Sequence, residues 1–142
     1  LQGREIWKHD GTFIEKYQPT FGPGVKERFA FAKTVHDKDL TEQESLCEQA
    51  VRHINGLLAD SSVLILPTLP GAGLKLNCSP DDMNAFRSKM SASFCLGGLA
   101  GVPWITLPLA EIDGAPLGVS LVSACGTDAW LLELSKALVQ NR

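Results

Sequence analysis

The sequence has few cysteines, and their spacing excludes two common kinds of site. They are Cys47, Cys78, Cys95 and Cys125. No pair has the short spacing of a zinc or redox motif, and the three histidines are equally scattered. We therefore expect no metal and no other cofactor. Unpaired thiols of this kind are typical of a reducing compartment, so we expect a cytoplasmic protein.

The chain also lacks a basic stripe and a long hydrophobic run. Its 13 Lys and Arg residues against 16 Asp and Glu give a formal net charge of −3. This balance leaves no electrostatic footprint for nucleic acid. No apolar run approaches the roughly 20 residues of a membrane-spanning helix. We expect neither a nucleic-acid partner nor a membrane span, and the composition does not predict an oligomeric state.

Motifs of activated nucleophiles and phosphate loops are absent as well. The stretch Gly118-Val-Ser-Leu-Val122 lacks the second glycine of a nucleophile elbow, and there is no Ser-x-x-Lys pair. Asp81 and Asp82 follow Ser79 at the start of a helical pattern, which favours helix capping over an acid–base pair. The residues by themselves therefore indicate no catalytic group.

What is present is a pattern of helices alternating with apolar strands along 142 residues. Residues 1–17 predict two short helical pieces separated by Gly11. Thr41-Glu-Gln-Glu44 has the pattern of a capping box, in which the threonine and Glu44 cap each other's backbone. Val63-Leu-Ile-Leu66 is an uninterrupted apolar run, typical of a strand covered on both faces.

The second half predicts a helix, two strands and a final helix. The first helix follows Ser79 and is expected to stop at Gly97-Gly98. The strands, about Trp104–Leu109 and Leu117–Val122, are joined through Asp113-Gly114. The final helix starts near Asp128, with its apolar side chains expected inward: Trp130, Leu131, Leu134 and Leu138. The fold class is α/β, a partial three-layer α/β/α sandwich with a mixed central sheet.

Two blocks near the C-terminal end resemble the amidase-signature hydrolases. They are Gly98-Leu-Ala-Gly-Val-Pro-Trp-Ile-Thr-Leu-Pro108 and Gly114-Ala-Pro-Leu-Gly-Val-Ser-Leu-Val122. Three weaker blocks add to the resemblance: Gln2-Gly-Arg-Glu-Ile-Trp7, Phe21-Gly-Pro-Gly-Val-Lys-Glu-Arg-Phe29 and Val63-Leu-Ile-Leu-Pro-Thr68. The chain opens at Leu1 inside a helical pattern, so we expect a fragment. The resemblance implies that residues 1–142 are the C-terminal part of a single amidase-signature domain.

The resemblance also implies where chemistry takes place. The Ser–Ser–Lys triad of the family lies in a segment that no part of this chain matches, so no catalytic residue is carried over. Ser91, Phe94 and Cys95 match positions that line the substrate pocket, although plain helix packing explains them equally well. In amidotransferase-subunit relatives the position of Ser91 holds a carboxylate that binds the amino group of the substrate. Serine there argues against an amino-acid substrate held in this way.

Two functions follow from the resemblance. One is the C-terminal portion of a serine-dependent amide hydrolase acting on a small-molecule amide, inactive as this chain alone. The other is an amidase-like interaction domain without activity, as in a chloroplast outer-envelope import receptor. The presence or loss of the triad in the parent protein separates the two.

Overall fold

The computed structural model describes residues 1–22, 24–59 and 61–140, in two compact units, Leu1–Glu48 and Gln49–Arg142. The first unit contains two helices and the start of a third: α1 (Gln2–Tyr17), α2 (Val25–Val35) and α3 (Thr41–Leu57). The second unit begins within α3. It continues with β1 (Leu64–Pro67), α4 (Pro80–Ala100), β2 (Trp104–Ile112), β3 (Ala115–Val122) and α5 (Asp128–Gln140).

Helix α1 is continuous, so the predicted break at Gly11 is wrong. Gly11 is the buried residue of this helix, and the Trp7 indole lies directly over it. A Cβ at this position would come within 2.9 Å of the ring. The missing side chain at Gly11 therefore makes room for the Trp7 ring on the helix surface, and the helix continues through this position.

The capping box predicted at the start of α3 is also wrong. Asp39 is the capping residue, because its carboxylate accepts hydrogen bonds from the Thr41 amide at 3.0 Å and the Thr41 hydroxyl at 2.7 Å. The hydroxyl bond, followed by the amide bond, lowers the pKa of Asp39 from its ordinary value. Glu44 instead forms an ion pair with Arg4 of α1.

The three described strands form an antiparallel sheet in the order β1-β3-β2. Asp113 and Gly114 both have positive φ, 51° and 76°, which is the backbone of the tight turn predicted between β2 and β3. The register shifts between Leu107 and Ala110. Pro108 lies in this irregular stretch, where a residue without an amide proton is tolerated.

Helices cover both faces of this sheet, in agreement with the α/β fold class. On one face, Val122 packs with Ile54 of α3, with Leu58 just after it, and with Leu96 and Ala100 near the end of α4. On the other face, a second buried cluster joins α5 to the sheet: Leu107, Leu121 and Leu131.

Several apolar side chains remain outside these two clusters. Ile65, at the centre of β1, is 64% exposed, so this strand is covered on one face only within the described chain. Trp130 and Leu138 of α5 are exposed, which corrects the prediction that both point inward. Leu131 and Ser135 are buried in this helix, and Leu131 joins the apolar cluster. None of the described helices is long and apolar enough to cross a membrane.

Candidate functional site

Helix α4 carries the three residues that the resemblance assigns to substrate binding. Residues next to the helix cap both of its ends. The Ser79 hydroxyl accepts a hydrogen bond from the Asp82 amide at 3.0 Å and donates one to the Asp82 carboxylate at 2.7 Å. Pro80 occupies the first turn of the helix. Asp82 is therefore a capping group. The helix does not stop at Gly97-Gly98 but continues to Ala100, where Gly101 takes the left-handed conformation with φ 63°.

Ser91, Phe94 and Cys95 are all exposed on the second half of α4. The Phe94 ring stacks on the Trp104 indole of β2 with 5.0 Å between ring centroids and 20° between ring planes. The Cys95 thiol donates to the Ala92 carbonyl at 3.3 Å. The structure thus joins one of the three residues to the sheet and leaves the other two on the helix surface. Their assignment to a substrate pocket stays a prediction.

Trp104 connects this part of α4 to the sheet. Its six-membered ring lies against Gly97, where a Cβ would come within 2.9 Å of the indole. The indole nitrogen is buried and has no acceptor in the described part of the chain. A donor in this state gives the sheet surface beside Phe94 an unused hydrogen-bonding group.

Sequence reasoning missed a cluster of three hydroxyl groups on the sheet. The Ser120 hydroxyl of β3 lies 2.7 Å from the Thr68 hydroxyl and 3.2 Å from the Thr106 hydroxyl. Thr106 is two residues after Trp104 on the same strand, so both side chains point to one face, roughly 7 Å apart. The pairing register places Thr106 and Ser120 opposite each other, and strand alternation alone does not show this because the register shifts between Leu107 and Ala110.

The donor count of this cluster decides what it can do. Each hydroxyl has one proton, and a chain of two bonds among three hydroxyls uses two of them. In the third contact the Thr68 hydroxyl donates to the Thr106 hydroxyl at 3.4 Å, which makes it the longest and weakest of the three bonds. Ser120 itself is fully buried, and its described partners are hydroxyls rather than a base. The cluster therefore suits hydrogen bonding and lacks the base that activates a serine nucleophile.

A cleft of about 550 Å³ lies at the other end of α4. Its walls are the loop that follows β1 and the first three turns of the helix, including Leu74, Lys75, Asp82, Phe86 and Lys89. This volume lies within the roughly 300–1,000 Å³ of small-molecule sites. Gly71 and Ala72 form part of the loop wall.

Comparison with known proteins gives relatives along nearly the whole chain. The chain is 30% identical over 138 residues to Amidase 1 of Arabidopsis thaliana, covering 97% of this chain and 32% of the relative. It is 25% identical over 138 residues to the chloroplastic outer envelope protein 64 of the same plant, covering 94% of this chain and 23% of the relative. No protein-family model matches the chain.

A solved structure described as an amidase shares the fold. It has a TM-score of 0.77 at 21% identity, and the match covers 98% of this chain and 33% of that one. The chain thus spans about a third of the length of Amidase 1 and of this structure. That coverage fits the C-terminal portion that the sequence blocks indicate.

Proposed function

Since this chain is homologous over nearly all of its length to amidase-signature proteins, we propose that it is the C-terminal portion of a serine-dependent amide hydrolase. The observation that supports this most is the agreement of sequence and fold over the same 97–98% of the chain. In this proposal residues 1–142 belong to a single domain whose nucleophile lies outside them. The parent protein cleaves a small-molecule amide in the cytoplasm.

The proposed chemistry divides the work between the two parts of the domain. The other part supplies an activated serine that forms an acyl-enzyme and backbone amides that stabilise the oxyanion. This chain supplies sheet strands and part of the pocket wall, with Ser91, Phe94 and Cys95 facing the substrate. The aromatic stack of Phe94 on Trp104 gives that wall a firm apolar surface.

A chimera tests this proposal. The segment of Arabidopsis thaliana Amidase 1 that aligns with this chain is replaced by residues 1–142, and release of ammonia from primary amides is measured. We expect turnover by the chimera and none by the isolated chain. A chimera that melts cooperatively but has no activity contradicts the proposal. So does turnover by the isolated chain that is lost when one of its serines is changed to alanine.

A second candidate is an interaction domain without activity, which the similarity to outer envelope protein 64 supports. The segment upstream of Leu1 in the parent separates the two candidates. A lysine and a Ser–Ser pair in that segment favour the hydrolase. Loss of any of the three favours the interaction domain.

A further inference from the structure

The cleft between the loop after β1 and the first half of α4 has two lysines in its lining, and nothing so far gives them a role. We propose that this cleft is a binding site for a small organic anion, a carboxylate carried on an apolar body. The proposal concerns binding only and does not depend on the proposed amide hydrolysis.

The placement of Lys75 and Lys89 at the cleft follows from local structure. Lys75 begins a turn that is closed by a 3.1 Å hydrogen bond from the Cys78 amide to the Lys75 carbonyl, so its backbone is fixed at the cleft. Lys89 lies on the face of α4 that it shares with Asp82, Ala85 and Phe86, since residues three, four and seven apart in a helix point to one side. The loop and the helix therefore each bring one cation to the same cleft.

Neither ammonium group has an ion-pair partner within the described ranges. Lys33 and Lys136, by contrast, pair with Glu15 and Glu133 at 2.8 Å and 2.7 Å. The third charge in the lining is the Asp82 carboxylate, which the Ser79 hydroxyl already engages in the helix cap. The lining therefore has an excess of one positive charge and two cations free to bind an anion.

The remaining lining sets the kind of anion. Leu74 and Phe86 present an aliphatic and an aromatic surface beside the lysines, and Asn77 adds an amide. A site of this volume with apolar walls and a few polar groups holds a ligand that has an apolar body and one charged end. Inorganic phosphate would leave these walls without a partner, so the lining favours an organic carboxylate.

The test uses the chain itself and two matched probes, 4-phenylbutyrate and its neutral counterpart 4-phenylbutan-1-ol. Binding is followed by NMR chemical-shift changes. We expect saturable binding of the carboxylate, about tenfold tighter than that of the alcohol, with the shifts centred on Leu74, Lys75 and Phe86. Because exposed ion pairs contribute little, Lys75→Ala and Lys89→Ala should each weaken it by roughly two- to fivefold.

Three controls give the expected direction of change. Lys26→Ala removes a lysine outside the cleft lining and should leave binding unchanged. Lys89→Arg keeps the charge and should retain most of the affinity. Asp82→Asn removes the anion from the lining and should strengthen binding. Far-UV circular dichroism confirms that each variant is folded.

Equal affinity for the acid and the alcohol, or shifts elsewhere on the chain, would overturn the proposal. So would affinity that is unchanged in both lysine-to-alanine variants. Because the readout is binding by this chain alone, an inactive chimera leaves the result intact. Likewise, a negative binding result at the cleft does not bear on the proposed amide hydrolysis.

Discussion

Gly118 lies under the hydroxyl cluster, and its replacement by alanine should destabilise the sheet. A Cβ there would come within 2.7 Å of the Thr106 methyl group and 2.8 Å of the Thr68 hydroxyl. Side-chain Cβ atoms essentially never approach other atoms this closely, so a strand must shift. Overpacking of this kind costs roughly 1–3 kcal/mol. The lower entropy of alanine in the unfolded chain offsets about 0.5–1 kcal/mol, so we expect a net loss of about 1–2 kcal/mol.

Urea unfolding of the isolated chain measures this loss. Gly98→Ala is the matched control, because this helical glycine has nothing within 4 Å of the added methyl and should gain about 0.5–1 kcal/mol. Thr106→Ser removes the methyl group at 2.7 Å and should recover part of the loss when combined with Gly118→Ala. A Gly118→Ala variant as stable as the starting chain, or an unchanged penalty in the double variant, would refute the steric argument.

The remaining predictions concern the pocket wall, the uncovered surface and the cap of α3. Phe94→Ala in the chimera should shift the preference between a small aliphatic and a large aromatic amide by ~1–3 kcal/mol; a lower melting temperature with unchanged preference would leave Phe94 as a packing residue. The isolated chain should tend to aggregate or bind a hydrophobic dye, because side chains such as Ile65 are exposed; a monodisperse monomer without dye binding contradicts this. The Thr41→Val variant loses the hydroxyl that lowers the pKa of Asp39, so an NMR titration should place this pKa closer to its ordinary value. Since the pKa of Asp39 is lowered in the folded protein, the cap stabilises the fold at pH values above the ordinary pKa. This stabilisation is lost as the pH falls through the folded pKa. Equal Asp39 titrations in the Thr41→Val variant and the unchanged chain would exclude the hydroxyl bond.

Those elements whose signals are local were predictable from the sequence. The cap of α4 by Ser79 and the Asp113-Gly114 turn depend on residues within a few positions of each other, and both are confirmed. The predicted helix ends at Gly11 and at Gly97-Gly98 were both wrong. A glycine within a helical pattern can mark the end of the helix, but it can also make room for a neighbouring side chain. At Gly11 the neighbour is Trp7, four residues earlier in the same helix. At Gly97 it is Trp104 of β2, which helical periodicity does not show.

The prediction of a capping box at the start of α3 was wrong for a related reason. Thr41 and Glu44 have the spacing of a capping box, but Asp39 competes for the same amide and Arg4 takes the glutamate. The arginine is 40 positions away, so no local pattern contains it. The hydroxyl cluster and the lysine-lined cleft were missed because each unites distant segments. Ser91, Phe94 and Cys95 came from the resemblance, and their proposed role is tested with a substrate in the chimera.

The strand order sets the sequence in which the sheet can assemble. β2 and β3 meet across a two-residue turn, and hairpins of this kind form within roughly 1–10 μs. β1 reaches its position beside β3 only after the chain closes a loop of about 50 residues that includes α4, a step with a larger entropic cost. We therefore expect the central strand to pair with β2 first and to offer its open edge to β1 afterwards. Until that happens the Ser120 hydroxyl has Thr106 but not Thr68 beside it, so the hydroxyl cluster is completed by the last strand to arrive.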